Sequence, residues 1–258
     1  MNSVGSTYSR DQAIVLGGLA GLCLLAWLYL FYLARMMGQM PAGMAMTEPQ
    51  MMSWSGTDLL FCFIMWAVMM VGMMIPSAAP MIMIFSQTYR KQFGQGQPYV
   101  PTSLFVLGYL AVWTAFSLVA TAAQWGLHTT ALLSPTLLKS TSPMLGGVIL
   151  IAAGLFQWTD LKQRCLQHCR SPLNFLLNEW RDGRLGALSM GLRHGLFCLG
   201  CCWALMGLLF VTGVMNLLWV ALIGIFVLVE KLVLFQRWVS GSAGALLVSW
   251  GLWQLLAH

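Results

Sequence analysis

Seven apolar stretches, each close to the length that crosses a bilayer, leave this chain few ways to fold. They cover residues 13–34, 58–85, 103–127, 144–161, 187–211, 216–235 and 240–257. A hydrocarbon layer about 30 Å thick needs roughly 20 apolar residues of helix. Inside it, each backbone amide must find its partner within the same segment. Composition agrees, since 59% of the 258 residues are hydrophobic and 8% charged, against about 25% charged in a soluble domain. The expectation is an all-α, polytopic transmembrane helix bundle with seven spans, forming a single transmembrane domain over 1–258. The first stretch is longer than a signal-peptide core and lacks a small-x-small cleavage site, so it reads as a retained helix.

Charge gives this bundle a direction. With seven spans, one side collects nine basic residues (Arg10, Arg90, Lys91, Lys162, Arg164, Arg170, Arg181, Arg184, Arg237), and the other only Arg35 and Lys139. Cytoplasmic loops gather Lys and Arg, which predicts the N-terminus inside and the C-terminus outside. The net charge of +6 is then a matter of topology and anionic lipid. The implied partner is the lipid bilayer, not nucleic acid. Residues 35–57 become an outside loop rich in methionine, and 162–186 a cytoplasmic loop holding Cys165, His168 and Cys169.

The chemistry gathers where the fifth stretch begins. Between Arg193 and Trp203 stand His194, Cys198, Cys201 and Cys202. On a helix, His194, Cys198 and Cys202 fall at i, i+4 and i+8 on one face, with Cys201 three residues beyond Cys198. Imidazole and thiolate are ligands that Cu(I) and Zn(II) favour, and a polar cluster in an apolar span marks function. The alternative is packing, because free cysteine is a small hydrophobe. Seven cysteines, an odd number, do not suggest a secreted disulfide framework. Five of them lie on or near the inner side, where thiols stay reduced. Cys23, inside the first span, reads as packing.

Three other places carry soft or charged groups. In the second stretch Asp58, Cys62, Met65, Met69 and Met73 make a stripe along one helix face, extending about 22 Å at 1.5 Å per residue. This pattern predicts either a metal path or methionine used as gap filler. The stretch ends at Pro76 and Pro80, which free backbone carbonyls that protein must re-satisfy. The methionines from Met36 to Met52 are thioethers suited to Cu(I), or an interfacial apolar loop. Cys165 and Cys169 share a helical face if that loop is a turn of helix, with His168 near Cys165. Finally, Glu230 sits in the sixth stretch, where an acid is costly. It is predicted to face the cysteines or to pair with Arg193 or Arg184. Lys231, about 100° round the helix, is not its natural partner.

Several of these blocks occur together in a known family. Trp66-Ala67-Val68-Met69-Met70 leads into Pro76-Ser77-Ala78-Ala79-Pro80-Met81. Cys165 to Pro172, the run from His194 through Cys198-Leu199-Gly200-Cys201-Cys202-Trp203, Met215-Asn216-Leu217 and Glu230-Lys231 complete the set. Over residues 55–235 the chain resembles a bacterial family described as predicted metal-binding integral membrane proteins. The resemblance implies an all-helical bundle in the bacterial cytoplasmic (inner) membrane. It also implies a metal held by His194, Cys198, Cys201 and Cys202, and by Cys165, His168 and Cys169. Copper is the expected metal and zinc the alternative. The leading function is Cu(I) handling, by transport or by delivery to a copper enzyme. A second is an accessory subunit of a larger membrane complex, and a third a thiol oxidoreductase using Cys165 and Cys169 or the vicinal Cys201 and Cys202, whose disulfide geometry is demanding. The sequence carries no catalytic triad, paired carboxylates or phosphate cradle, so nothing in it argues for an enzyme.

Overall fold

The computed structural model describes residues 2–38, 55–93, 99–130, 142–233 and 235–257, and is helical throughout with no strand among them. The helices are α1 (Asn2–Gly38), α2 (Gly56–Phe93), α3 (Tyr99–Thr129), α4 (Pro143–Phe156) and α5 (Asp160–Arg170). They continue as α6 (Pro172–Glu179), α7 (Gly183–Gly207), the single turn α8 (Leu209–Thr212), α9 (Leu217–Leu232) and α10 (Gln236–Leu256). Local chemistry sets many of the boundaries. Ser55 and Asp58 cap α2 reciprocally, with Ser55 N donating to Asp58 Oδ2 at 2.9 Å and Asp58 N to Ser55 Oγ at 3.3 Å. Thr159 caps α5 and Ser142 caps α4. Gly213, at φ 98°, supplies the left-handed turn after α8 that few other residues adopt.

Every apolar stretch expected to be helical is helical, but not all are long enough to cross a bilayer. Five helices are long and apolar enough, spanning Gln12–Met36, Gly56–Gln92, Val100–Thr129, Gly183–Thr212 and Gln236–Leu256, or six if the bent pair α4–α5 counts as one. The stretch 144–161 yields a 14-residue α4, about 21 Å long, and the chain then bends by 63° into α5. The stretch 216–235 yields a 16-residue α9, about 24 Å long. Hydropathy could not see these breaks, because the residues that make them, Gln157 to Thr159 and Val233, sit at the ends of otherwise apolar runs. The orientation inferred from seven crossings does not follow from this set.

The segment 162–186, expected as a cytoplasmic loop, carries most of α5 and all of α6. Contacts trace α4, α5 and α6 running antiparallel along α7. Gly146 lies beside Val211, and Phe156 packs edge-on to Trp203 with ring centroids 5.3 Å apart. Cys165 fits against Gly200, Phe175 meets His194, and Arg181 N reaches Met190 Sδ at 3.4 Å. Together these three helices make one broken traverse. Its polar middle helix turns Lys162, Leu166 and Cys169 inward.

Glycine sets the closest approach. A Cβ on Gly191 would meet the carbonyl of Phe105, and one on Gly108 that of Leu188, so α3 and α7 cross nearly backbone to backbone. This contact presses Tyr109 against the His194–Cys198 face. Of the two prolines inside α2, Pro76 is accommodated by side chains of α1. Pro76 has no N–H, which leaves the Gly72 carbonyl free. Trp27 Nε1 donates to it at 3.3 Å, and Cys23 Sγ at 3.6 Å. Cys23 is therefore a carbonyl partner as well as a packing residue.

Candidate metal centre

Helix α7 carries His194, Cys198, Cys201 and Cys202, all buried to within 2% exposure. Their one-faced spacing is realised, and the face turns inward toward α3, α5 and α9. Cys198 is the hub. Its Sγ lies 3.1 Å from Tyr109 Oη and receives a hydrogen bond from Lys231 Nζ at 3.0 Å. Cys169, buried on α5, is a neighbour of Cys198 and Cys201. Cys202 is within reach of both as well. Four buried thiols from two helices are thus neighbours, all of them free.

These thiols are gathered but not yet arranged around an ion. Among the described residues, no group of three or more His, Cys, Asp or Glu side chains is disposed to hold a metal. Cys201 and Cys202 both turn back along α7 and donate to the Cys198 carbonyl, at 3.1 and 2.9 Å. To bind a metal they would rotate away from that carbonyl, exchanging a thiol hydrogen bond for a metal–sulfur bond.

His194 is the second unusual feature. Both ring nitrogens are buried and neither has a hydrogen-bond partner. Orphaned buried polar atoms are rare in native structures and call for an explanation. Rings surround the imidazole: Tyr109 stacks at 5.7 Å, Phe175 meets it edge-on at 5.5 Å, and Phe105 lies 6.0 Å away. Phe175 also lines an open cavity of about 430 Å³ between α5 and α6, whose other walls include His168, Asn174, Asn178 and Glu179. One aromatic side chain thus touches both the cavity and His194.

The other expected site residues are dispersed. Cys165 is half-buried against Gly200 and near Cys201. His168 is exposed, stacked on Phe197 at 4.2 Å with Nδ1 at 2.9 Å from the Arg164 carbonyl, and so lies away from the thiols. Met65, Met69 and Met73 are buried in the core along α2. Asp58 is exposed at the start of α2, where Ser55 occupies its carboxylate, so it serves as a cap. Most of the methionine-rich loop, residues 39–54, lies outside the described residues. Glu230 pairs neither with Arg193 nor with Arg184. It receives Lys162 Nζ on both oxygens, at 2.7 and 2.8 Å, and Ser240 Oγ at 2.7 Å. Arg193 instead pairs with Glu179.

Sequence reasoning missed Lys231, Tyr109 and Ser77. Lys231 Nζ donates to Ser77 Oγ at 2.8 Å as well as to Cys198. A signal for it existed, because neighbours 100° apart on a helix must address different partners. If Glu230 points one way, Lys231 must find its own counterpart in the apolar interior, and that counterpart is a sulfur.

A protein-family model described as PpoB2: Copper chaperone matches residues 63–254. That interval begins just before the buried methionines of α2 and takes in the whole thiol cluster. No curated protein and no solved structure matches the chain.

Proposed function

The chain belongs to the PpoB2 copper chaperone family, and from that membership we propose that it holds Cu(I) at the α5–α7 thiol cluster and passes it to a copper enzyme. The observation that carries the reading is the grouping of four buried, free thiols, Cys169 of α5 with Cys198, Cys201 and Cys202 of α7. Thiolates are soft ligands and favour Cu(I). His194 stands beside Cys198 with both nitrogens free, and a metal arriving there would satisfy one of them. The cavity walled by Phe175 supplies the route of entry, with the Phe175 ring as the barrier between solvent and imidazole.

The chain does this within a membrane. Leu24, Leu25, Leu28 and Phe31 on α1, and Trp238, Leu246 and Trp253 on α10, all face outward and exposed. Apolar surface on that scale is stable against lipid and unstable in water. A metal held at these thiols would lie in a low-dielectric interior, shielded from bulk solvent while it waits for its acceptor.

Competition against a chromogenic Cu(I) chelator, with reduced protein in detergent, tests the proposal. The natural chain is expected to withdraw Cu(I) from the chelator. His194→Phe should fold normally, since the site is already walled by rings, and should bind Cu(I) about tenfold more weakly. A natural chain that leaves all copper on the chelator would end the reading.

A further inference from the structure

Resting on the copper-binding reading, we infer that Lys231 is the residue that selects the charge of the metal: the thiol cluster accepts a monovalent soft cation on two thiolates and rejects divalent ones. Lys231 is 7% exposed and lies near the end of the apolar helix α9. Its ammonium donates to one oxygen, Ser77 Oγ, and one sulfur, Cys198 Sγ. Among the described residues no carboxylate pairs with it, because Glu230, its neighbour in sequence, is held by Lys162. The other polar side chains close by are Tyr109, Cys169, Cys201 and His194. Any negative charge that balances Lys231 must therefore come from this sulfur cluster.

Charge balance then decides which ion fits. An uncompensated charge in a buried site is strongly unfavourable, so the filled site must be close to neutral. A monovalent cation bound by the Cys198 thiolate and one further thiolate brings one positive charge against two negative, and Lys231 closes the balance. The second thiol gives up its proton to water as its sulfur–metal bond forms, and no electron moves. A divalent ion on the same two thiolates leaves a net positive charge beside the ammonium. It would need a third thiolate, and so the loss of one more thiol proton from the buried cluster. Zinc further demands four ligands in a tetrahedron. Silver is the more thiophilic of the two soft ions, so the mark of charge selection is how far the preference depends on Lys231.

The probes are therefore Ag(I) and Cd(II), both soft and differing in charge, each competing for the Cu(I)-loaded, reduced protein in detergent. The natural chain should lose copper to Ag(I) and keep it against Cd(II). Lys231→Met should narrow the preference for Ag(I) over Cd(II) by about tenfold or more, and Lys231→Arg, which keeps the charge, should retain it. Cd(II) displacing copper from the natural chain as readily as Ag(I) overturns the inference, whatever the variants do. An unchanged preference in folded Lys231→Met overturns it too. In both cases the natural chain still binds Cu(I), so the copper reading survives, whereas failure to load Cu(I) at all removes the copper reading itself.

Discussion

Lys162→Met is expected to destabilise the protein by about 3–5 kcal/mol, the range for breaking a buried ion pair by removing one partner. Lys162 is wholly buried and Glu230 nearly so. The Lys162 ammonium joins both carboxylate oxygens of Glu230 and the side-chain oxygen of Gln157, while Ser240 donates to the same carboxylate. Four elements are tied there: the α4–α5 bend, α5, α9 and α10. Without the lysine, a carboxylate is left in an apolar interior with one hydroxyl for company. The double variant Lys162→Met/Glu230→Leu removes both charges and should recover much of the loss, since well-packed apolar replacements of buried pairs are often neutral or better. Unfolding in detergent, followed by near-ultraviolet circular dichroism, measures all three. A single variant costing less than about 1 kcal/mol, as for a surface pair, would falsify this placement of Lys162.

The second large effect concerns the hub of the metal centre. Cys198→Ser should weaken Cu(I) binding by roughly a hundredfold, while Cys165→Ser should leave it close to the natural chain. Both are cysteines facing the same helix interface, so size and polarity change alike. What differs is the surroundings. Cys198 Sγ meets Tyr109 and Lys231 and has Cys169, Cys201 and Cys202 within reach. Cys165 fills the space above Gly200 at the edge of that group. Chelator competition on the two variants separates a site centred on Cys198 from one spread over all the cysteines. Equal losses from the two substitutions would contradict the geometry.

The sequence made the helices and the α7 stripe readable for the same reason. Apolar runs and the spacing of His194, Cys198 and Cys202 are local, periodic features, and a helix converts spacing directly into a face. The breaks were harder. The end of α4 at Phe156 and the shortness of α9 depend on what Gln157 and Lys162 meet across the bundle, and no window of hydropathy reports that. Lys162 looked like one more basic loop residue fixing orientation. Its burial is a tertiary fact, created by Glu230, a residue 68 positions away in sequence. Asp58 shows the reverse error. It was read as the mouth of a methionine stripe, although Ser55-Gly56-Thr57-Asp58 is a legible capping pattern. The recruitment of Cys169 lay between these cases, for its pairing with Cys165 was visible while its approach to Cys198 required α5 to fold against Gly200.

Metal in the protein as isolated is the most direct test of the α7 centre. Copper content should be measured in detergent-purified natural chain and in a variant carrying His194→Ala, Cys198→Ala, Cys201→Ala and Cys202→Ala, with circular dichroism confirming that both are folded. Near-stoichiometric copper in the natural chain, lost from the variant, is the predicted result. Equal copper in both, or none in either, would mean that the cysteines of α7 are packing residues and that the metal centre is not there.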